Sequence, residues 1–217
     1  MDHYATWAVL LLPYLEQDNL YREWDIKKEY YQQTDLARQT PVPTYFCPSR
    51  RSPRSPAVSV ADDVPDTHNP DRHFPGAVGD YACSLGYGQG DYWWGDPPDN
   101  GAFQYGTQTL RFASITDGLS NTIFVGEKHV QLGQFGRGAD CSTYNGDHGC
   151  SFRWGGPGYS GLARSPQDSG TRFGSYHPGL CQFVMGDGSV RVLPNSIAVT
   201  TLGLLTSRND GQTIPDL

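Results

Sequence analysis

Residues 171–193 read Thr-Arg-Phe-Gly-Ser-Tyr-His-Pro-Gly-Leu-Cys-Gln-Phe-Val-Met-Gly-Asp-Gly-Ser-Val-Arg-Val-Leu, and this stretch decides the fold class. Leu180, Gln182 and Val184 alternate with Cys181, Phe183 and Met185, the period of two that sends neighbours to opposite faces of a strand. Gly186-Asp187-Gly188-Ser189 follows, and its Asp-Gly pair tolerates the positive φ values that reverse a strand tightly. Val190, Arg191, Val192 and Leu193 then alternate back out. The pattern predicts a β-hairpin over 180–193. Ahead of it, His177-Pro178-Gly179 forces a bend, because Pro fixes φ and Gly admits values other residues avoid. His177 and Asp187 thus fall at opposite ends of one strand, about 30 Å apart if it is straight. That is too far to share a metal ion or a proton. Separate structural roles follow: Asp187 accepts backbone N–H bonds within its turn, and His177 bonds a neighbouring loop. The candidate loop is Asp117-Gly118-Leu119-Ser120-Asn121-Thr122, whose side chains suit backbone capping.

The chain of 217 residues fits one domain carrying insertions. Sixteen basic against twenty-three acidic residues leave a net charge of -7 without long runs. That disfavours nucleic acid, which is bound through clustered Lys and Arg. Arg50, Arg51 and Arg54 form the one basic cluster; lying among Ser and Pro, they read as a solvated loop. With 26 Gly, 16 Pro, 13 Tyr and 5 Trp, the composition suggests a loop-rich, extracellular, β-containing domain. No run reaches the ~18–20 apolar residues of a membrane span, and Ala8-Val9-Leu10-Leu11-Leu12 is too short for a signal peptide. The five cysteines, Cys47, Cys83, Cys141, Cys150 and Cys181, form no C-x-x-C pair and no zinc spacing. In an exported protein they read as disulfide partners. Cys141 and Cys150 bracket a short polar loop and are the easiest pair to close.

Taken in order, residues 5–22 look helical in two parts around Pro13, which the first turn of a helix tolerates. Tyr14, Leu15, Leu20, Tyr21 and Trp24 supply an apolar stripe. Residues 26–40 finish a helix, and 41–48 run extended at a sheet edge. Residues 48–76 lack periodicity and read as a long surface loop. Its Asp62, Asp63, Asp66 and Asp71 are candidate Ca²⁺ ligands. The order of an EF-hand is absent, so a solvated loop is the plainer reading. A second insertion, about 84–108, carries Tyr92-Trp93-Trp94 between Gly90 and Gly95. Exposed rings stack on sugar faces, while buried ones would pin the loop to the core. Residues 110–118 suggest a strand leading into a helical turn with Ser114 as N-cap. Residues 121–128 suggest a strand with Ile123 and Val125 on one side. A third insertion spans about 131–170, and 196–207 suits a short helix.

Catalytic motifs are missing. Gly158-Tyr159-Ser160-Gly161 misses the G-x-S-x-G elbow by one position. No H-E-x-x-H helix, P-loop or dinucleotide fingerprint occurs. A non-enzymatic protein is the first expectation.

The spacing of His177, nine residues, then Asp187-Gly188 resembles the C-terminal signature of the secreted, prepilin-type proteins abundant in planctomycetes and known as the DUF1559 or H-X9-DG family. Leu11-Leu12-Pro13-Tyr14-Leu15-Glu16-Gln17, Phe46-Cys47-Pro48-Ser49, and Asp117-Gly118-Leu119-Ser120-Asn121-Thr122-Ile123 through Gly126-Glu127 agree in order. The resemblance implies an α+β, type IV pilin or pseudopilin-like fold: one domain over 1–217, with an N-terminal helix packed on an antiparallel sheet that ends in the hairpin. It casts His177, Asp187, Gly188, Asp117, Gly118, Asn121 and Glu127 as structural signature residues. It also implies a prepilin leader and membrane helix that this chain lacks, and hence an extracellular or cell-surface location. Other pilin-like subunits or secretion machinery would be the partners. Family members commonly carry a cysteine just after that helix; its loss would leave Cys47 over and pair Cys83 with Cys181. The first reading of function is a non-enzymatic surface protein of pseudopilin type, with Tyr92, Trp93 and Trp94, which lie outside the family signatures, as the candidate polysaccharide site. The alternatives are a secreted hydrolase of glycan or peptide and a purely structural filament subunit. No cofactor beyond Ca²⁺ is implied.

Overall fold

In a computed structural model the hairpin forms as its alternation dictates. The structure describes residues 4–51, 57–60, 65–66, 69–87, 100–104, 110–146, 149–157 and 161–215. Its helices are α1 (Trp7–Leu10), α2 (Asp18–Arg22), α3 (Asp35–Gln39) and α4 (Val199–Thr206). Its strands are β1 (Pro65–Asp66), β2 (Asn69–His73), β3 (Tyr81–Ser84), β4 (Ile123–Glu127), β5 (Phe152–Arg153), β6 (Leu180–Met185) and β7 (Val190–Pro194). The contacts divide into two compact units: residues 1–81 with 130–151, and 82–129 with 152–217. Each unit is thus built from two separate lengths of a chain that the sequence reading treats as one domain.

The second unit holds the hairpin. β6 and β7 pair antiparallel from Leu180↔Pro194 to Val184↔Val190. Cys181, Phe183, Met185 and Leu193 are buried, while Leu180, Val184, Val190 and Val192 stay exposed. The outer face of the hairpin is therefore uncharged and, apart from Gln182, apolar, the kind of surface that packs against a partner. At the turn, Asp187 accepts the Ser189 hydroxyl at 2.6 Å and the Ser189 N–H at 2.9 Å. The side-chain bond and then the backbone bond hold its carboxyl below the usual range. A depressed carboxylate stabilises the turn above its unfolded pKa. That contribution fades as pH falls through the lower, folded value.

The sheet order is β5-β3-β4-β6-β7. β4 runs antiparallel to β6, but β3 and β5 are parallel. The α+β class holds, with a mixed sheet in place of a purely antiparallel one. β4 carries a bulge: Ile123 faces Met185, yet Val125 faces Val184. One extra residue on β4 reverses the alternation. Ile123 is fully buried while Val125 lies half-buried on the opposite face, which corrects the expectation that the two share a side. Here α4 supplies the helix on the sheet. Its Leu202 and Leu205 join Ala82, Ile123, Phe173, Phe183, Met185 and Leu193 in one core. Residues 110–118 form a 3₁₀ turn at Phe112–Ser114, without a strand and with Ser114 as its last residue.

The first unit has an aromatic core of Trp24, Tyr30, Tyr31, Tyr45, Phe74 and Tyr144 with Val9, Leu12 and Leu20. Trp24 meets Tyr144 edge-on at 5.2 Å. The phenols are satisfied inside: Tyr30 donates to the Phe74 carbonyl at 3.0 Å, Tyr45 to Ala8 at 2.6 Å and Tyr144 to Thr40 at 3.1 Å. Burial pushes the Tyr45 and Tyr144 hydroxyls above the usual phenol range. The expected stripe is only partly right. Pro13 opens a 3₁₀ turn over Leu12–Leu15, and Glu16 ends it at φ 59. The changed turn leaves Tyr14 in solvent and buries Leu12 instead. Residues 26–40 form a 3₁₀ turn and the short α3, capped where Thr34 accepts from the Ala37 N–H. Pro43–Tyr45 is a 3₁₀ turn and not an edge strand. The 48–76 segment includes a small antiparallel sheet of β1 and β2.

Cys141 and Cys150 form the disulfide that their spacing suggests. Cys47, Cys83 and Cys181 are buried thiols, so the Cys83–Cys181 bridge is not made. Cys83 sits on β3 and Cys181 on β6, with β4 between those strands. Two strand spacings put them about 9–10 Å apart, beyond the ~7 Å that a disulfide spans.

Candidate functional site

The signature residues sort into turn-builders and one side-chain pair. Asp117 accepts the N–H groups of Asp210 at 2.7 Å and Gly211 at 2.9 Å. Asn121 donates to the Asp117 carbonyl and Thr122 to that of Gly118, each at 3.1 Å. Gly118 sits at φ 97, where a side chain would be strained. This turn ties down the C-terminal segment, and Asp187-Gly188 closes the hairpin. Both are architectural.

Glu127 and His177 are different. Glu127 ends β4, and the antiparallel register places that end beside the start of β6. Its side chain is 2% exposed. One carboxylate oxygen, Oε2, accepts the Gln182 N–H at 2.8 Å. The other, Oε1, lies 3.3 Å from His177 Nε2. Gln182, exposed on the hairpin, brings its side-chain amide nitrogen to 3.4 Å from the same Nε2. The bend before β6 aims the imidazole. Ser175 Oγ accepts the His177 N–H at 3.0 Å and donates to the Leu180 carbonyl at 2.5 Å, while Gly179 takes φ 72. His177 therefore meets Glu127 and Gln182. A quarter of the His177 side chain reaches solvent. An imidazole oriented by a buried carboxylate can accept a proton or, with its neighbours, hold a cation.

A family model described as "Protein of unknown function (DUF1559)" matches residues 2–200. The chain belongs to this family. No curated protein and no solved structure matches it. The DUF1559 match spans all the signatures above, including both members of the Glu127–His177 pair.

A second polar cluster in this DUF1559 chain lies in the first unit. Arg51 forks onto the Asp140 carboxylate and also reaches Asp80 Oδ1 at 2.8 Å. Arg50 holds the same Asp80 oxygen at 3.1 Å. Backbone N–H groups of Cys47 and Gly136 complete the carboxylates at 2.9 and 2.7 Å. The Arg51 guanidinium also sits 5.5 Å from the Phe46 ring and 5.2 Å from Phe135. Burial alone would lower its pKa; the Asp140 and Asp80 contacts outweigh that and raise it. These two arginines are buried structural ions, which corrects their reading as a solvated loop.

Tyr92, Trp93, Trp94, Asp62, Asp63 and Arg54 lie outside the described residues. Asp66 falls on β1 and Asp71 on β2, described as backbone only.

Proposed function

We propose that this DUF1559 chain is a non-enzymatic, exported surface protein of pseudopilin type, whose aromatic insertion recognises polysaccharide. The Cys141–Cys150 disulfide carries the export part of this reading. Such bonds persist outside the reducing cytoplasm, and closing a loop of this length contributes about 2.7 kcal/mol in the chain-entropy model. The uncharged outer face of β6 and β7 suits packing against other pilin-like subunits.

Export has a direct check. Biotin labelling of intact source cells with an impermeant reagent should recover the protein, with Cys141 and Cys150 joined in a non-reducing peptide map. Recovery only after lysis, with both thiols open to alkylation, would sink the proposal. Recognition is tested separately by replacing Trp93 and Trp94 with Ala. Retention on a polysaccharide column should vanish while the melting temperature stays nearly constant. Undiminished retention would remove the aromatic segment from the reading and leave export untouched.

A further inference from the structure

The loop that the disulfide closes is polar in sequence yet buried in the structure. Ser142, Thr143, Tyr144 and Asn145 follow Cys141, and each is at most 1% exposed. They are seated against the other length of chain in the first unit. The Thr143 N–H donates to the Ala77 carbonyl at 2.9 Å, and the Ser142 hydroxyl reaches the same oxygen at 3.3 Å. Tyr144 enters the aromatic core edge-on, 5.2 Å from Trp24 and 6.4 Å from Tyr45. Its hydroxyl donates to the Thr40 carbonyl at 3.1 Å. Gly76 leaves the room for this: a Cβ there would lie 2.4 Å from Ser142 Oγ. The flanks are tied as well, Asp140 to Arg51 and the Ser151 carbonyl to the Trp7 indole N–H at 2.7 Å. Residues 141–145 are a plug.

Cys141 is 2% exposed and Cys150 fully buried. Thiol–disulfide exchange needs a thiolate to reach a disulfide sulfur, and the seated plug leaves no approach. We infer that the Cys141–Cys150 bond is a redox latch: it can be reduced only while the plug stands out of the core, and its reduction hinders the plug's return. With the bond intact, a withdrawn plug is still a loop whose ends are joined nine residues apart, so few conformations compete with re-entry. Cutting the bond adds conformations to the withdrawn state alone. A dithiol reductant supplies the two electrons. One of its thiolates attacks a disulfide sulfur, the S–S bond breaks, and the departing cysteine sulfur takes a proton from water. The second thiol then displaces the other cysteine and leaves as a cyclic disulfide, with Cys141 and Cys150 both thiols. The same access rule governs the reverse step. The chain has to meet a donor disulfide before the plug seats, while the first unit is still open. This inference does not rest on the pseudopilin reading.

The experiment follows dithiothreitol reduction of the oxidised full chain. Timed samples are acid-quenched, unfolded, alkylated and mapped at Cys141 and Cys150. The native protein should be reduced at least about a hundredfold more slowly than the same chain in denaturing urea. Tyr144→Phe removes only the hydroxyl that the seated plug donates, and should speed reduction roughly fivefold. Tyr14→Ala, at a residue 83% exposed, should leave the rate unchanged. Urea below the unfolding transition should accelerate reduction, because withdrawal exposes the aromatic core. Native and unfolded chains reduced at one rate would overturn the latch, since the sulfurs would then be open with the plug seated. Equal rates for wild type and Tyr144→Phe would also overturn it, by placing the opening elsewhere. Should Tyr144→Phe fail to fold, the urea series decides: a rate indifferent to urea means that the sulfurs are reached without freeing Tyr144, and refutes the latch.

Discussion

Arg51→Ala is expected to cost about 3–5 kcal/mol, the range for breaking a buried ion pair from one side. The side chains of Arg51, Asp80 and Asp140 are at most 2% exposed. Truncation removes the forked guanidinium from the buried Asp140, which keeps the Gly136 N–H at 2.7 Å. Asp80 fares better, because Arg50 still holds it at 3.1 Å. The order of effects follows: Arg51→Ala and Asp140→Ala should be severe, Arg50→Ala milder. Arg51→Lys should recover only part of the loss, since an ammonium cannot fork onto one carboxylate while reaching another. For a urea slope near 2 kcal/mol/M, the midpoint should fall by about 2 M. Intrinsic tryptophan fluorescence, to which Trp24 in the aromatic core of the same unit contributes, gives the readout. A shift of less than about 0.5 kcal/mol, the range of ordinary surface changes, would return the arginines to the solvated loop that their neighbours suggest.

That cluster shows where the sequence stops being legible. Arg51 reads as loop because it lies among Ser and Pro, while its acidic partner Asp140 is 89 residues away. Nothing local announces the pairing. The hairpin is the opposite case: period-two alternation and an Asp-Gly turn are both local, and each reaches the structure unchanged. The same contrast runs through the cysteines. Cys141–Cys150 closes across its own loop, whereas Cys83–Cys181 depends on strand order, and β4 lies between the two strands. The β4 bulge is hidden as well, since only the partner strand reveals that Ile123 and Val125 face opposite ways.

The candidate site was half legible. Both His177 and Glu127 carry family signatures, but strand length speaks only to His177 and Asp187, which do fall at opposite ends of β6. Antiparallel register is what joins His177 to Glu127. Val125↔Val184 and Gly126↔Phe183 run on to bring Glu127 beside Gln182, just past the bend that carries His177. The fold class needed only local pattern, while the site needed knowledge of which strand lies next to which.

Gly126, one residue before Glu127, yields the second large expectation. It faces Phe183 across the ladder. A methyl group there would lie 2.5 Å from two Phe183 ring carbons and 2.9 Å from Phe173. Those rings meet edge-on at 5.4 Å, and both are 1% exposed. Phe183→Ala should cost about 3–5 kcal/mol, because it empties the centre of the core shared by the sheet and α4. Gly126→Ala should cost about 1–3 kcal/mol by overpacking against the same ring. The two changes should not add. With the ring gone the new methyl enters vacated space, so Gly126→Ala should be nearly neutral in the Phe183→Ala background. A double-mutant cycle by urea unfolding should show a coupling of at least about 1 kcal/mol. Costs that sum to within ~0.3–0.5 kcal/mol would mean that glycine is not there to admit Phe183. The close approach of β4 to the core would then need another cause.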